Sequence, residues 1–165
     1  MRSPSAPRTQ DPAQDAISYS ELSLEFMESA KVLAAQGDST FQIKRDHFFP
    51  FFYLAAHSIE LMLKAYLSAM GLTERQLKQI GHDLGDACKV AGAKGLVVSA
   101  AFVEYSDWLN RYHPDHLFRY WVSGIPMQVP MPRRLIEIID PELRSIRTQV
   151  DKAVRRLRSG LVPSP

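Results

Sequence analysis

HFFPFFYLAAHSIELMLKAYLSAM, residues 47–70, is the most apolar stretch of the chain, and its reading decides what surrounds it. Wound at about 100° per residue, it places Tyr53, His57, Glu60, Lys64 and Ser68 on one narrow stripe. Phe52, Leu54, Ile59, Leu61, Leu63 and Leu67 occupy the other directions. A helix apolar on nearly every side belongs inside a protein, packed among other helices. Pro50 suits its first turn, where the missing N–H is not needed, and Gly71 stops it. The expectation is a central helix with one polar seam.

On the N-terminal side, YSELSLEFMESAKVLAAQGD carries Tyr19, Leu22, Phe26, Ala30 and Leu33 at helical spacing, with Gly37 as a stop, and reads as a first helix. Residues 1–16 hold three prolines and almost no large apolar side chains, so they read as a disordered leader. On the C-terminal side, Thr73 and Gln76 have capping-box spacing for a short helix. Gly81 then punctuates before a second short one, HDLGDACKVAGAKG. Val97, Ala101, Tyr105, Trp108 and Tyr112 recur as the stripe of another amphipathic helix. Prolines 126, 130 and 132 impose an extended or irregular segment. Asp140 before Pro141 then has the form of an N-cap for a last helix, with Leu143, Ile146, Val150, Val154, Leu157 and Leu161 as its seam. No run of alternating apolar residues calls for a strand. The pattern predicts an all-α up-and-down bundle of four to five helices, one domain over residues 17–160, and a flexible tail at 161–165.

A chain of 165 residues suits one hydrophobic core. With 45% apolar and 23% charged residues, it has the composition of a folded protein rather than a disordered one. No stretch reaches the roughly 18 apolar residues of a membrane span, and no apolar region follows the N-terminal basic residues. Neither a membrane nor a secreted protein is expected. Cys88 is the only cysteine, so no intramolecular disulfide and no thiolate-rich zinc site can form, and a cytoplasmic setting fits. Its surroundings, DACKVA, read as a small buried hydrophobe rather than a reactive thiol. The net charge of +2 does not by itself announce nucleic-acid binding. Residues 141–158 nevertheless set Arg144, Arg147, Lys152, Arg155, Arg156 and Arg158 against Glu142 and Asp151. That face suits either phosphate contacts or the negative end of the helix dipole.

Three segments in order, AAHSIELMLKAYLSAMGL, IGHDLGDACKVA and LNRYHPDHLFRYW, resemble the HEPN superfamily of helical domains over roughly residues 20–158. Glu60 and Lys64 match the Glu and Lys of the family's second helix. Gly81 to Leu84 match the turn opening the third, and Arg119 and Tyr120 resemble the Arg-Tyr that closes the fourth. The resemblance implies a helical bundle that often dimerises and takes part in nucleotide or RNA transactions, frequently in toxin–antitoxin or defence systems, with an antitoxin or nucleotidyltransferase as partner. It also points to RYHPDH, where Arg111 and His116 have the spacing of the family's catalytic pair. There a histidine moves a proton and an arginine holds phosphate charge, without a metal.

Two functions of different class follow, beside a purely structural helical partner. One is a binding module for a nucleotide, an RNA or a protein, using Arg119, Tyr120, His57, Glu60, Lys64 and His82. The other is a metal-independent endoribonuclease acting through Arg111 and His116 across a homodimer interface near Arg111 to Trp121. The binding module is preferred because Pro114 lies inside the hexapeptide and bends its backbone. Bland readings stand beside these. Glu60 and Lys64 form an i, i+4 pair that commonly only decorates a solvent face, and His82 suits a helix cap or a bond back to the bundle. His113, Asp115 and His116 are metal-type ligands without a fourth at suitable spacing, so neither a metal nor another cofactor is expected.

Overall fold

The computed structural model describes residues 11–36, 45–118 and 128–160, which form six helices and no strand. They are α1 (Pro12–Ala35), α2 (Arg45–Ala69), α3 (Glu74–Ile80), α4 (Leu84–Ala93), α5 (Ala100–Asn110) and α6 (Pro132–Arg158). The all-α expectation holds, and the buried apolar residues form one cluster to which every helix contributes. α2 is its axis, with Phe51, Phe52, Ile59, Leu63 and Leu67 fully buried. α1, α4, α5 and α6 all pack against it, α1 most extensively.

Side-chain contacts give the directions. Ser68 of α2 bonds the carbonyl of Pro12, and Ser58 bonds Ser23, so α1 and α2 run antiparallel. Glu28 pairs with Arg144, and Ser20 with Arg147, so α6 runs antiparallel to α1. Two of the six basic residues of that face, Arg144 and Arg147, are thus spent holding α1. Lys152, Arg155, Arg156 and Arg158 have no acidic partner among the described residues.

Several expectations are corrected. α1 begins at Pro12, inside the expected leader. Asp11 accepts from the backbone N–H groups of Ala13 and Gln14 while Pro12 needs no donor of its own, a complete N-terminal cap. Residues 1–10 and the tail 161–165 lie outside the described residues. The buried stripe of α1 is Ala13, Ala16, Ser20, Ser23, Met27 and Ala30; of the expected stripe only Ala30 belongs to it, and Leu22 is 43% exposed. Small side chains let the two backbones approach closely. Each of Ser23 and Ser58 then donates to the other's carbonyl at 2.7 Å, which satisfies hydroxyls that would otherwise be costly to bury.

In α2 the helix starts at Arg45, so Pro50 sits in its second turn. In α5 the buried residues are Phe102, Ser106 and Leu109, while Val97 is 73% exposed and Ser99 is the N-cap. α6 starts at Pro132, and Asp140-Pro141 lies in its middle rather than at its start. An interior proline costs roughly 3 kcal/mol. It is outweighed because Leu135, Ile139, Leu143 and Ile146 bury one continuous stripe only if the helix runs through, each contributing about 1.5–3 kcal/mol. Thr73 forms the expected capping box with Gln76.

Cys88 is half-buried against the core, and burial pushes its thiol up to about 11. At pH 8 its thiolate fraction is then on the order of 100-fold below that of an ordinary cysteine. Iodoacetamide alkylation of the native protein is expected to be slower by that factor than in 6 M guanidinium, and equal rates would contradict it.

Candidate functional site: a buried carboxylate at the centre of four donors

α2 presents its polar seam to the interior. Glu60 is 2% exposed, so the solvent-face reading of the Glu60–Lys64 pair is wrong. Its Oε1 accepts from Lys64 Nζ at 2.5 Å and from His82 Nδ1 at 3.0 Å. Its Oε2 accepts from His113 Nε2 at 2.7 Å, His82 Nδ1 at 3.1 Å and His57 Nδ1 at 3.3 Å. A carboxylate only accepts, so the facing nitrogen of each imidazole carries the proton. Burial pushes the Glu60 carboxyl up, but hydrogen bonds from His113, His57 and Lys64, with the charge of Lys64, outweigh it and hold the group well below the usual carboxylate range.

Each ring is positioned by its own element. His57 lies between Phe26, edge-on at 4.8 Å, and Tyr53, stacked at 5.6 Å. His82 stands at the turn between α3 and α4. Gly81, at φ +66°, lets the chain reverse there. Asp83 caps α4 through the N–H of Asp86. Asn110, the last residue of α5, donates to Asp83 and accepts from the N–H of Leu84, and Leu84 is fully buried. The Gly-His-Asp-Leu run thus has a structural task at each position. Of the two bland readings for His82, the bond back to the bundle is the one realised.

His113 follows α5 in a turn that Phe118 closes by stacking on Phe52, with ring centres 5.9 Å apart. His116 has φ +56°, the only positive φ at a non-glycine residue among those described. Its ring meets that of His82 at 4.9 Å. The His82 side chain is 47% exposed, so His82 and His116 form the edge at which this cluster reaches solvent.

No family model, no curated protein and no solved structure matches this chain. The site must therefore be read from its own geometry.

The structure brings together five of the expected residues: His57, Glu60, Lys64 and His82 in hydrogen-bonding contact, and His116 beside His82. Arg111 is exposed at the C-terminus of α5. Arg119, Tyr120 and Trp121 lie outside the described residues. Asn110 and Asp83 are the members missed, and His113, expected only as a metal-type ligand beside Asp115 and His116, belongs to the cluster. No local periodicity marks His113, because its partner is 53 residues away in the chain. The metal reading is also revised. His113, Asp115 and His116 do not form a ligand set, whereas His57, Glu60 and His113 place one donor atom each within 4.8 Å of one another. Among the described residues no helix is long and apolar enough to cross a membrane.

Proposed function

We propose that this chain is a HEPN-like helical module that binds a phosphate-bearing ligand, a nucleotide or RNA, at the edge formed by His82 and His116. The observation that carries the reading is the convergence of three imidazoles and one ammonium on a single buried carboxylate. Lys64 and Glu60 cancel in charge, so the imidazoles are left to supply donors, or positive charge on protonation, where the cluster opens to solvent. Imidazole N–H groups suit a phosphate, and the sequence sets Arg111 and Arg119 on either side of His116. Glu60 fixes the His82 ring by holding Nδ1–H, which turns Nε2 away from the carboxylate.

A second reading, a ribonuclease using Arg111 and His116, is favoured by the backbone of His116. A left-handed conformation at a residue other than glycine costs on the order of 1–3 kcal/mol and recurs where a side chain must be aimed. Homodimerisation through the Arg111 to Trp121 segment belongs to this reading, as does a toxin–antitoxin or defence setting.

RNA and nucleotide binding and RNA cleavage, measured for wild type, His82→Ala, His116→Ala and Arg119→Ala, separate the readings. The binding module expects His82→Ala and Arg119→Ala each to lose a charge-assisted hydrogen bond, about 1.5–3 kcal/mol of affinity, with no cleavage by any variant. Cleavage abolished by His116→Ala selects the ribonuclease. No interaction in any variant leaves a structural partner.

A further inference from the structure

Two imidazole nitrogens from different elements, His57 Nδ1 of α2 and His113 Nε2 after α5, point at the same oxygen of the same carboxylate. They lie 3.3 and 2.7 Å from Glu60 Oε2, and the three donor atoms all fall within 4.8 Å of one another. A zinc-type cation bound at about 2.0–2.2 Å to nitrogen and oxygen ligands holds them roughly 3.0–3.5 Å apart. The two nitrogen–oxygen separations approach that spacing, and ring rotation on binding brings the two nitrogens, within 4.8 Å of each other, to it.

We propose that His57, Glu60 and His113 form a binding site for a divalent transition-metal cation of the zinc class. The donor set is two imidazoles and one carboxylate oxygen. Such a set suits zinc, cobalt or ferrous iron and is a poor match for calcium or magnesium, which take oxygen ligands. Lys64 is compatible with this geometry because it holds the other oxygen, Oε1. The carboxylate then ligates through Oε2 alone, while Lys64 acts as the outer hydrogen bond that metal-bound carboxylates characteristically accept. The ammonium also repels the cation, which sets the affinity below that of a site with the same ligands and no lysine. His57 is held between Phe26 and Tyr53, and His113 is 3% exposed, so two of the three ligands are confined near the bound arrangement before the cation arrives. His82, with a side chain 47% exposed, lies on the solvent side of these three donors and marks the route of entry. Each imidazole turns a lone pair to the cation by moving its ring proton to the opposite nitrogen, so His57 and His113 remain neutral.

This inference does not depend on the ligand proposed above, since it concerns the interior of the cluster rather than its edge. The test is a titration of untagged, chelator-treated full-length protein with cobalt(II), followed in the visible region, and then displacement by zinc. The expected result is saturation at one equivalent, with the intense bands of four- or five-coordinate cobalt. His57→Ala and His113→Ala should each weaken binding by more than the roughly 10–100-fold that an outer partner contributes. His47→Ala, on the same helix but outside the cluster, should bind as wild type does. His57 is partly exposed, so His57→Ala keeps the test valid if His113→Ala fails to fold, as judged by circular dichroism. Absence of saturable binding, a weak octahedral cobalt spectrum, or equal loss in His47→Ala would each overturn the assignment.

Discussion

Glu60→Ala is expected to destabilise the protein by about 3–5 kcal/mol, the cost of removing one partner from a buried charge network. Four donors face this carboxylate, and one of them, His113, is only 3% exposed. Truncation leaves His113 buried and unpaired and Lys64 without its counter-charge, which costs more than the hydrogen bonds themselves are worth. Glu60→Gln should lie between the two, because an amide retains one acceptor oxygen but turns an N–H₂ toward a donor. Urea denaturation of metal-free protein at pH 7 measures both. A loss under 1 kcal/mol for Glu60→Ala would show that the cluster is solvated.

The same network sets an acid limit. The folded pKa of Glu60 is depressed, so the folded state binds fewer protons at this site than the unfolded chain does. Its contribution is fully present above the unfolded value of about 4.3 and is lost as pH falls below it toward the folded value. Wild type should therefore lose stability more steeply than Glu60→Gln below pH 4.

The second large effect is expected at Phe52. Phe52→Ala should cost about 3–5 kcal/mol, the range for deleting a fully buried phenyl ring. Phe52 is 0% exposed, edge-on to Phe48 and Phe51, and stacked on Phe118. The stack fastens the His113–Phe118 turn to α2, so the loss should not stay in the core. Hydrogen exchange at the amides of Leu117 and His116, which bond Tyr112 and His113 across that turn, should accelerate beyond the global change in stability. Acceleration no greater than the global change would mean that the turn is held by His113 alone.

How far the sequence reaches is clear from particular residues. Phe52, Ile59, Leu63 and Leu67 recur in every direction around one helix, and burial follows from that pattern whatever the neighbours are. The two short helices were legible because their starts are local chemistry. Gly81 at positive φ marks the turn between the two, and Thr73 with Gln76 is a bond made within three residues of chain. Asp11-Pro12 is the same signal, and it lies in a segment whose composition suggested disorder.

Local signals failed where packing outweighs them. Asp140-Pro141 has the form of a helix start, yet α6 runs through it, because the apolar stripe from Leu135 to Val154 is worth more than one missing backbone bond. The stripe of large residues on α1 lost to alanines and serines, since what matters against α2 is how closely two backbones can approach. The polar seam of α2 was visible as a seam, but not the side it faces. A helix period orders residues around an axis without fixing which direction is solvent. That was decided when the Gly81 turn brought His82, and the end of α5 brought His113, onto Glu60, across 22 and 53 residues of chain. Sequence alone thus determined the all-helical class and the apolar axis, but not every helix start. Only the tertiary structure made one carboxylate the meeting point of four donors, because hydrogen bonds between residues so far apart leave no trace in local periodicity.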